Sequence, residues 1–242
     1  MATRTDAPTR REQILREAAR LFAERGFHGV GVDEIGAAVG ISGPGLYRHF
    51  PGKDAMLAEL LVGISGQLLT GAKRRLAEAG ADRSRADAFR AGAEADQAGM
   101  EADRAGLGGS PAVVGGGPAV VGGGPAVAEA VLDSLIEGHI DFAIDDRPLI
   151  TLHDRELDRL RDSDRKLVRQ LQRQYVELWV EALRALYPDL AEPAARSAVH
   201  SVFGLLNSTP HLGRPASLPG RAATAELLHR MARGAFAAAA DA

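Results

Sequence analysis

Gly31-Val-Asp-Glu-Ile-Gly36-Ala-Ala-Val-Gly40-Ile-Ser42-Gly-Pro-Gly-Leu46-Tyr-Arg-His-Phe50-Pro-Gly-Lys53 is the stretch that decides the fold of this 242-residue chain. Val32, Ile35 and Val39 recur at helical spacing. Asp33 and Glu34 fall in the first turn, where acidic groups suit the positive end of the helix dipole. Gly40-Ile41 makes a turn, and Ser42 is an N-cap for a following helix expected to end near Phe50. Pro51-Gly52 then breaks the chain. Two short helices joined by a tight turn are the sequence form of a helix-turn-helix, whose second helix enters the DNA major groove.

Upstream, residues 1–9 read as a polar arm. From Arg10, Ile14, Ala18, Leu21 and Phe22 form a helical stripe, stopped by Gly26. Leu46 and Phe50 are four apart and take the core side of the third helix, so Tyr47, Arg48 and His49 must project outward. A phenol, a guanidinium and an imidazole together suit phosphate oxygens and base edges. Gly43 and Gly45 each weaken a helix by roughly 1 kcal/mol, somewhat less near its end. Close approach of DNA to a bare backbone is the expected reason for keeping them.

Residues 10–57 resemble the N-terminal domain of TetR-type (tetracycline-repressor-like) bacterial regulators. The resemblance rests on Leu21-Phe22-Ala23-Glu24-Arg25-Gly26-Phe27, on Asp33-Glu34-Ile35, on Ile41-Ser42 through Leu46-Tyr47-Arg48-His49-Phe50, and on Lys53 opening the next helix. It implies an Ω-shaped homodimer, a variable C-terminal ligand domain, and repression relieved by a small molecule. Carried over by position, Tyr47, His49 and Lys53 are expected at phosphates, and Ser42, Gly43, Pro44 and Arg48 facing bases. One departure is Gly31, where many family members carry a phosphate-binding Thr. With so little side chain in Gly43-Pro44-Gly45, shape readout is expected to carry much of the specificity.

The remainder reads as helices throughout. A long amphipathic segment, 53–79, carries Met56, Leu57, Leu60, Leu61, Ile64, Leu68 and Leu69. Periodicity then fails, and Pro-Ala-Val-Val-Gly-Gly-Gly occurs twice in tandem at 111–124. Three glycines and a proline per unit forbid a helix, so residues 80–125 are expected to be a flexible Gly/Pro/Ala low-complexity insertion. Further helices are expected over 127–145, 147–160, 163–187, 192–208 and 222–239, with no convincing strand. The fold class is therefore all-α: an arm over 1–9, an N-terminal helix-turn-helix three-helix domain over 10–53, and a C-terminal helical ligand-binding and dimerisation domain over 54–242.

The net charge of −3 argues against general coating of nucleic acid, although residues 1–53 carry +2 and the rest −5. That modest excess suits a dimer summing two basic patches. There are no cysteines, which excludes disulfides, zinc ribbons and thiol chemistry. Neither a secretory signal nor a run approaching the ~18 apolar residues of a membrane span is apparent. A cytoplasmic protein with no membrane partner is expected. No nucleophile elbow, phosphate loop or paired-histidine metal motif is present, so no enzyme activity, metal or cofactor is expected.

The resemblance implies a four-helix dimer interface from the last two helices, rich in Ala194, Ala195, Ala198, Ser201, Gly204, Ala232, Gly234 and Ala235. A ligand pocket is expected among the helices at 53–79, 127–160 and 163–187, with His139, Phe142, His153, Tyr175, Trp179, Phe203 and Asn207 as its candidate lining. The Arg-rich run 147–173 reads as a solvated, salt-bridged face, or alternatively as a receiver for coenzyme A phosphates, since 138–160 resembles actinobacterial members thought to sense acyl-CoA ligands. The expected function is a homodimeric repressor of a palindromic operator, released by a small apolar or acyl-CoA-like effector. The alternatives are a dimeric DNA-binding protein without an effector and a regulator of drug efflux.

Overall fold

A computed structural model describes residues 8–105, 124–212 and 219–241, with the backbone alone for 80–105. Among these residues there are nine α-helices and no strand. They are α1 (Arg10–Arg25), α2 (Val32–Ala38), α3 (Gly43–Leu46), α4 (Lys53–Ala105), α5 (Pro125–Asp145), α6 (Arg147–Glu156), α7 (Asp162–Leu186), α8 (Glu192–Leu206) and α9 (Arg221–Ala240).

Local chemistry explains most of the boundaries. Thr9 and Glu12 form a reciprocal capping box at the start of α1, and Gly26 (φ +75°) ends it. Prolines in the first turn of α5, α6 and α8 cost no intrahelical donor. In α7 the buried stripe is Val168, Tyr175, Val176, Trp179, Val180, Ala182 and Leu183. Leu171, Leu178 and Leu186 are only half-buried, at the margin of that stripe.

Two cores result. One joins Ile14, Phe22, Phe27, Ile35, Leu46 and Phe50 to Met56, Leu57, Leu60 and Leu61 of α4 and to Leu152, Leu160 and Val168. The other unites Leu69 and Ala72 with α5, α7, α8 and α9 around Trp179. The helix-turn-helix core therefore reaches beyond residue 53, and α4 is a strut shared by both regions.

Three expectations need correction. Residues 80–105 continue α4 as helix, where an irregular insertion was expected; Ala, Glu and Arg supply helix formers, and no proline intervenes until Pro111. The tandem repeats at 111–124 lie outside the described residues except for Gly124, as does the arm except for Pro8 and Thr9. Helix α3 ends at Leu46, not near Phe50. Arg48 and His49 instead bond three residues back, to Gly45 and Leu46, tightening the chain into turns. Finally, Lys53–Ala79 is long and apolar enough by composition to cross a membrane, with mean hydropathy 1.4 over 18 residues. Its apolar side is spent on the two cores.

Candidate nucleic-acid interface and ligand cavity

The turn between α2 and α3 is set by backbone contact. Ile41 donates its N–H to the Gly36 carbonyl at 2.9 Å, and a Cβ on Gly36 would lie 2.8 Å from the Ile41 carbonyl oxygen. Gly40, at φ +71°, supplies the left-handed residue the reversal requires. At the start of α2, Glu34 accepts from the Gly31 N–H at 2.8 Å and pairs with Arg25, and together these hold its carboxyl below the usual range. Gly31 is thus capped by Glu34 without a Thr side chain.

Ser42 Oγ accepts from the Gly45 N–H at 3.3 Å, so the hydroxyl caps α3 and retains its proton for donation. Pro44, Tyr47 and Arg48 are exposed, Tyr47 at 55%, and among the described residues no ion pair holds Arg48. These form one open edge.

Gly43 is not on it. It is buried, and a Cβ there would strike the Asp33 carboxylate. Its bareness answers to an internal contact, contrary to the reasoning from DNA approach. Lys53 is also engaged internally: Nζ donates to the Phe27 and Val30 carbonyls (2.9 and 3.2 Å) and lies over the Phe27 ring.

His49 is half-buried, and its carbonyl accepts from Arg11 at 2.5 Å. Arg11 also pairs with Glu59 and covers the Phe50 ring at 4.1 Å. Arg10 donates to the Val39 carbonyl at 2.8 Å. These two arginines brace the motif from α1 at two points, the end of α2 and the turn that follows α3. Sequence reasoning missed them because the ties span 29 and 38 residues.

In the body, His139, Phe142, His153, Tyr175, Phe203 and Asn207 come together around one cavity of about 300 Å³. Trp179 is not among its lining; it is wholly buried behind it, edge-on to Phe203 at 5.0 Å. Ile64, Ser65, Leu68, Leu149, Ile150, Asp154, Gln172, Val176 and His200 complete the wall. Among them, Ile64 and Leu68 of α4 were visible only as apolar stripe.

At the deep end His139 Nδ1 faces the Tyr175 hydroxyl at 3.1 Å and Nε2 faces Asn207 Oδ1 at 3.0 Å. Oδ1 only accepts, so the ring proton sits on Nε2 and the Tyr175 O–H donates to Nδ1. The imidazole stacks on Phe203 at 4.8 Å and 3°. Burial pushes its pKa down to about 4 and pushes the Tyr175 phenol up, so both are neutral.

The Arg-rich run does not line this cavity. Arg159, Arg161, Arg165 and Arg169 pair with Glu156, Asp164, Asp162 and Asp158, the solvated face of the two readings above. One of these partners does more. Glu156, buried at the end of α6, accepts from the Phe27 N–H at 3.3 Å, while Leu149, Ile150 and His153 of the same helix line the cavity.

The profile of bacterial regulatory proteins of the tetR family matches residues 14–60, and that of the tetracyclin repressor-like C-terminal domain matches 126–234. An HTH-type transcriptional repressor, KstR2 of Rhodococcus jostii, is 43% identical over 77 residues, covering 32% of this chain and 37% of that protein. An HTH-type transcriptional activator, FasR of Mycolicibacterium smegmatis, is 36% identical over 76 residues, covering 31% of this chain and 35% of that one. The matched stretch thus spans little more than a third of these curated relatives. The crystal structure of AibR in complex with isovaleryl coenzyme A and operator DNA superposes with a TM-score of 0.61 at 18% identity, covering 92% of this chain and 97% of that one. At that identity the likeness is one of fold.

Proposed function

The chain belongs to the TetR family of bacterial regulatory proteins, and from that premise we propose that it is a cytoplasmic, homodimeric repressor of a palindromic operator, released when a small apolar or acyl-CoA-like effector fills the cavity. The observation that carries this reading is the double engagement of α6: one face lines the cavity, and Glu156 at its end holds Phe27 of the DNA reader. A ligand that prefers one position of α6 then shifts the reader by its differential affinity for the two states. The reader, residues 10–53 with the start of α4, presents Ser42, Pro44, Tyr47 and Arg48 to the groove. Lys53 fixes the loop at Phe27–Val30, with His49 beside Tyr47 at the phosphate backbone.

The second copy is expected on α8 and α9. Ala194, Ser197, Ser201 and Gly204 form one exposed stripe of small residues, and on α9 the exposed large apolar side chains Leu227 and Met231 lie with the small residues Gly234 and Ala235. Two recognition segments would then meet successive major grooves about 34–36 Å apart. The relative KstR2, a repressor by name, supports the sign of regulation. AibR, solved with isovaleryl coenzyme A and operator DNA, supports the effector class.

The test is a mobility shift on the DNA upstream of the chain's own gene. Wild type is expected to retard a palindromic fragment, and Tyr47→Ala with Arg48→Ala to abolish the shift without lowering the melting temperature. Undiminished retardation by the double variant would sink the assignment of this edge.

A further inference from the structure

The lining of the cavity is more selective than its size suggests. Its walls are apolar, from Ile64, Leu68, Phe142, Ile150, Val176 and Phe203, and no Lys or Arg lines it. The one formal charge in the lining is negative, Asp154, on an exposed side chain. His139 supplies no cation, because its burial disfavours the charged ring, and it has no ring nitrogen to spare for a ligand, because Tyr175 and Asn207 occupy both and Phe203 covers one face. What His139 does is orient Asn207. With Oδ1 accepting from the ring, the amide Nδ2 carries two N–H donors, and among the described residues no hydrogen bond holds them. The deep end therefore offers donors without positive charge.

Resting on the reading of this cavity as the effector site, we infer that the effector presents an uncharged carbonyl — ketone, ester or thioester — to the Asn207 amide, and that a free carboxylate of the same shape is rejected. A buried carbonyl needs one donor to replace water, and Asn207 provides it. A buried carboxylate needs a cation or several strong donors, and without them its desolvation is uncompensated. The outer histidines do not change this. His153 already meets Gln172 and lies 3.6 Å from Asp154, and His200 is exposed. For a thioester, the absence of cationic lining means that the acyl part alone enters and the nucleotide stays outside.

The test uses the whole protein at pH 8 and three probes of one chain length: 2-undecanone, decanoyl-CoA and decanoate. Trp179, the only tryptophan, lies against Phe203 and His139, so its emission reports occupancy. The ketone, the thioester or both are expected to bind about tenfold or more tightly than decanoate; the two neutral arms identify the source of the carbonyl. Asn207→Ala, confirmed folded by its melting curve, is expected to remove that preference. Decanoate binding as tightly as both neutral probes, or no probe perturbing Trp179, overturns the inference.

The two readings fail separately. If decanoate fills the cavity and releases DNA, the carbonyl inference falls and the regulator stands. If neutral probes fill it and no DNA is bound at all, the regulator falls and the carbonyl preference stands.

Discussion

The DNA reader and the effector body use polar groups in opposite ways. In the reader they sit at the rim and brace backbone: Arg10 on Val39, Arg11 on His49, Lys53 on Phe27 and Val30, Glu34 on Gly31. Apart from half-buried Lys53 these ties are solvent-exposed, so each adds little stability, but they fix where Tyr47 and Arg48 point. In the body the central polar groups His139 and Tyr175 are packed among aromatic rings and left neutral, with the uncharged Asn207 amide bonded to His139. The reader is built to hold charge at its surface in one geometry, the body to keep charge out. Mutations should therefore cost stability in the body and affinity in the reader.

The largest effect is expected from Trp179→Ala. The indole is wholly buried at the centre of the body core, with Phe203, His139, Tyr175 and Phe236 around it. Truncating such a side chain costs about 3–5 kcal/mol. In a chain of this length that lowers the melting temperature by roughly 10 °C. Calorimetry reads the loss, and DNA retardation at low temperature, where the variant is still folded, should persist. Loss of retardation there would break the separation of the two regions.

Next comes pH. The His139 pKa is depressed in the folded state, so below pH 6.5 the unfolded chain binds a proton that the native state refuses. Stability is therefore full above about pH 6.5, falls as pH drops towards 4, and levels off below that. The span from 6.5 to about 4 corresponds to about 3 kcal/mol. Urea titrations at pH 7 and pH 4.5 on wild type and His139→Gln would show it as a slope that the variant loses. Equal slopes would mean that the ring is charged, or hydrated, in the folded protein.

The same contrast governs what the sequence shows. The reader is legible because its rules are local: Ser42 caps a helix through the N–H of a residue three positions on, Gly40 turns the chain, and Leu46 and Phe50 mark a face by spacing alone. Even there, Gly43 looks like a concession to DNA until Asp33 is seen filling its space. The cavity is assembled from five helices, from Ile64 to Asn207, and no window of sequence contains it. Aromatic and polar residues on apolar stripes point to its candidates. They cannot distinguish Trp179, which packs behind the wall, from Phe203, which forms it. Residues 80–105 were misread for a related reason: an Ala-rich helix without a sharp apolar stripe has the composition of a helix and the periodicity of none.

A smaller effect, confined to the reader, is expected from Gly36→Ala. Alanine favours a helix by up to about 1 kcal/mol over glycine, but here its Cβ meets the Ile41 carbonyl oxygen at 2.8 Å. That atom belongs to backbone, so the turn itself must open, at about 1–3 kcal/mol. The net destabilisation is about 1–2 kcal/mol. Operator binding should fall far more than the melting temperature, and the response of Trp179 to ligand should be unchanged. A stabilised variant with intact binding would show that the close approach of α2 to the turn is dispensable.

The smallest effect tests the contrast most sharply. Thr9→Ala removes a hydroxyl that accepts from the Glu12 N–H, at an exposed helix start far from the cavity. An N-cap of this kind is worth about 1 kcal/mol, a shift of a few degrees in melting temperature. The first turn of α1, however, carries Arg10 and Arg11, whose guanidinium groups hold the Val39 carbonyl at the end of α2 and the His49 carbonyl just after α3. Fraying that turn loosens Tyr47 and Arg48 through His49 without touching them. Operator affinity should therefore drop by more than the stability change alone produces, and Arg11→Gln, which leaves the cap intact, should reproduce the drop. If Thr9→Ala lowers melting but Arg11→Gln leaves affinity unchanged, the brace is only a surface ion pair, and the reader's precision lies in its apolar core.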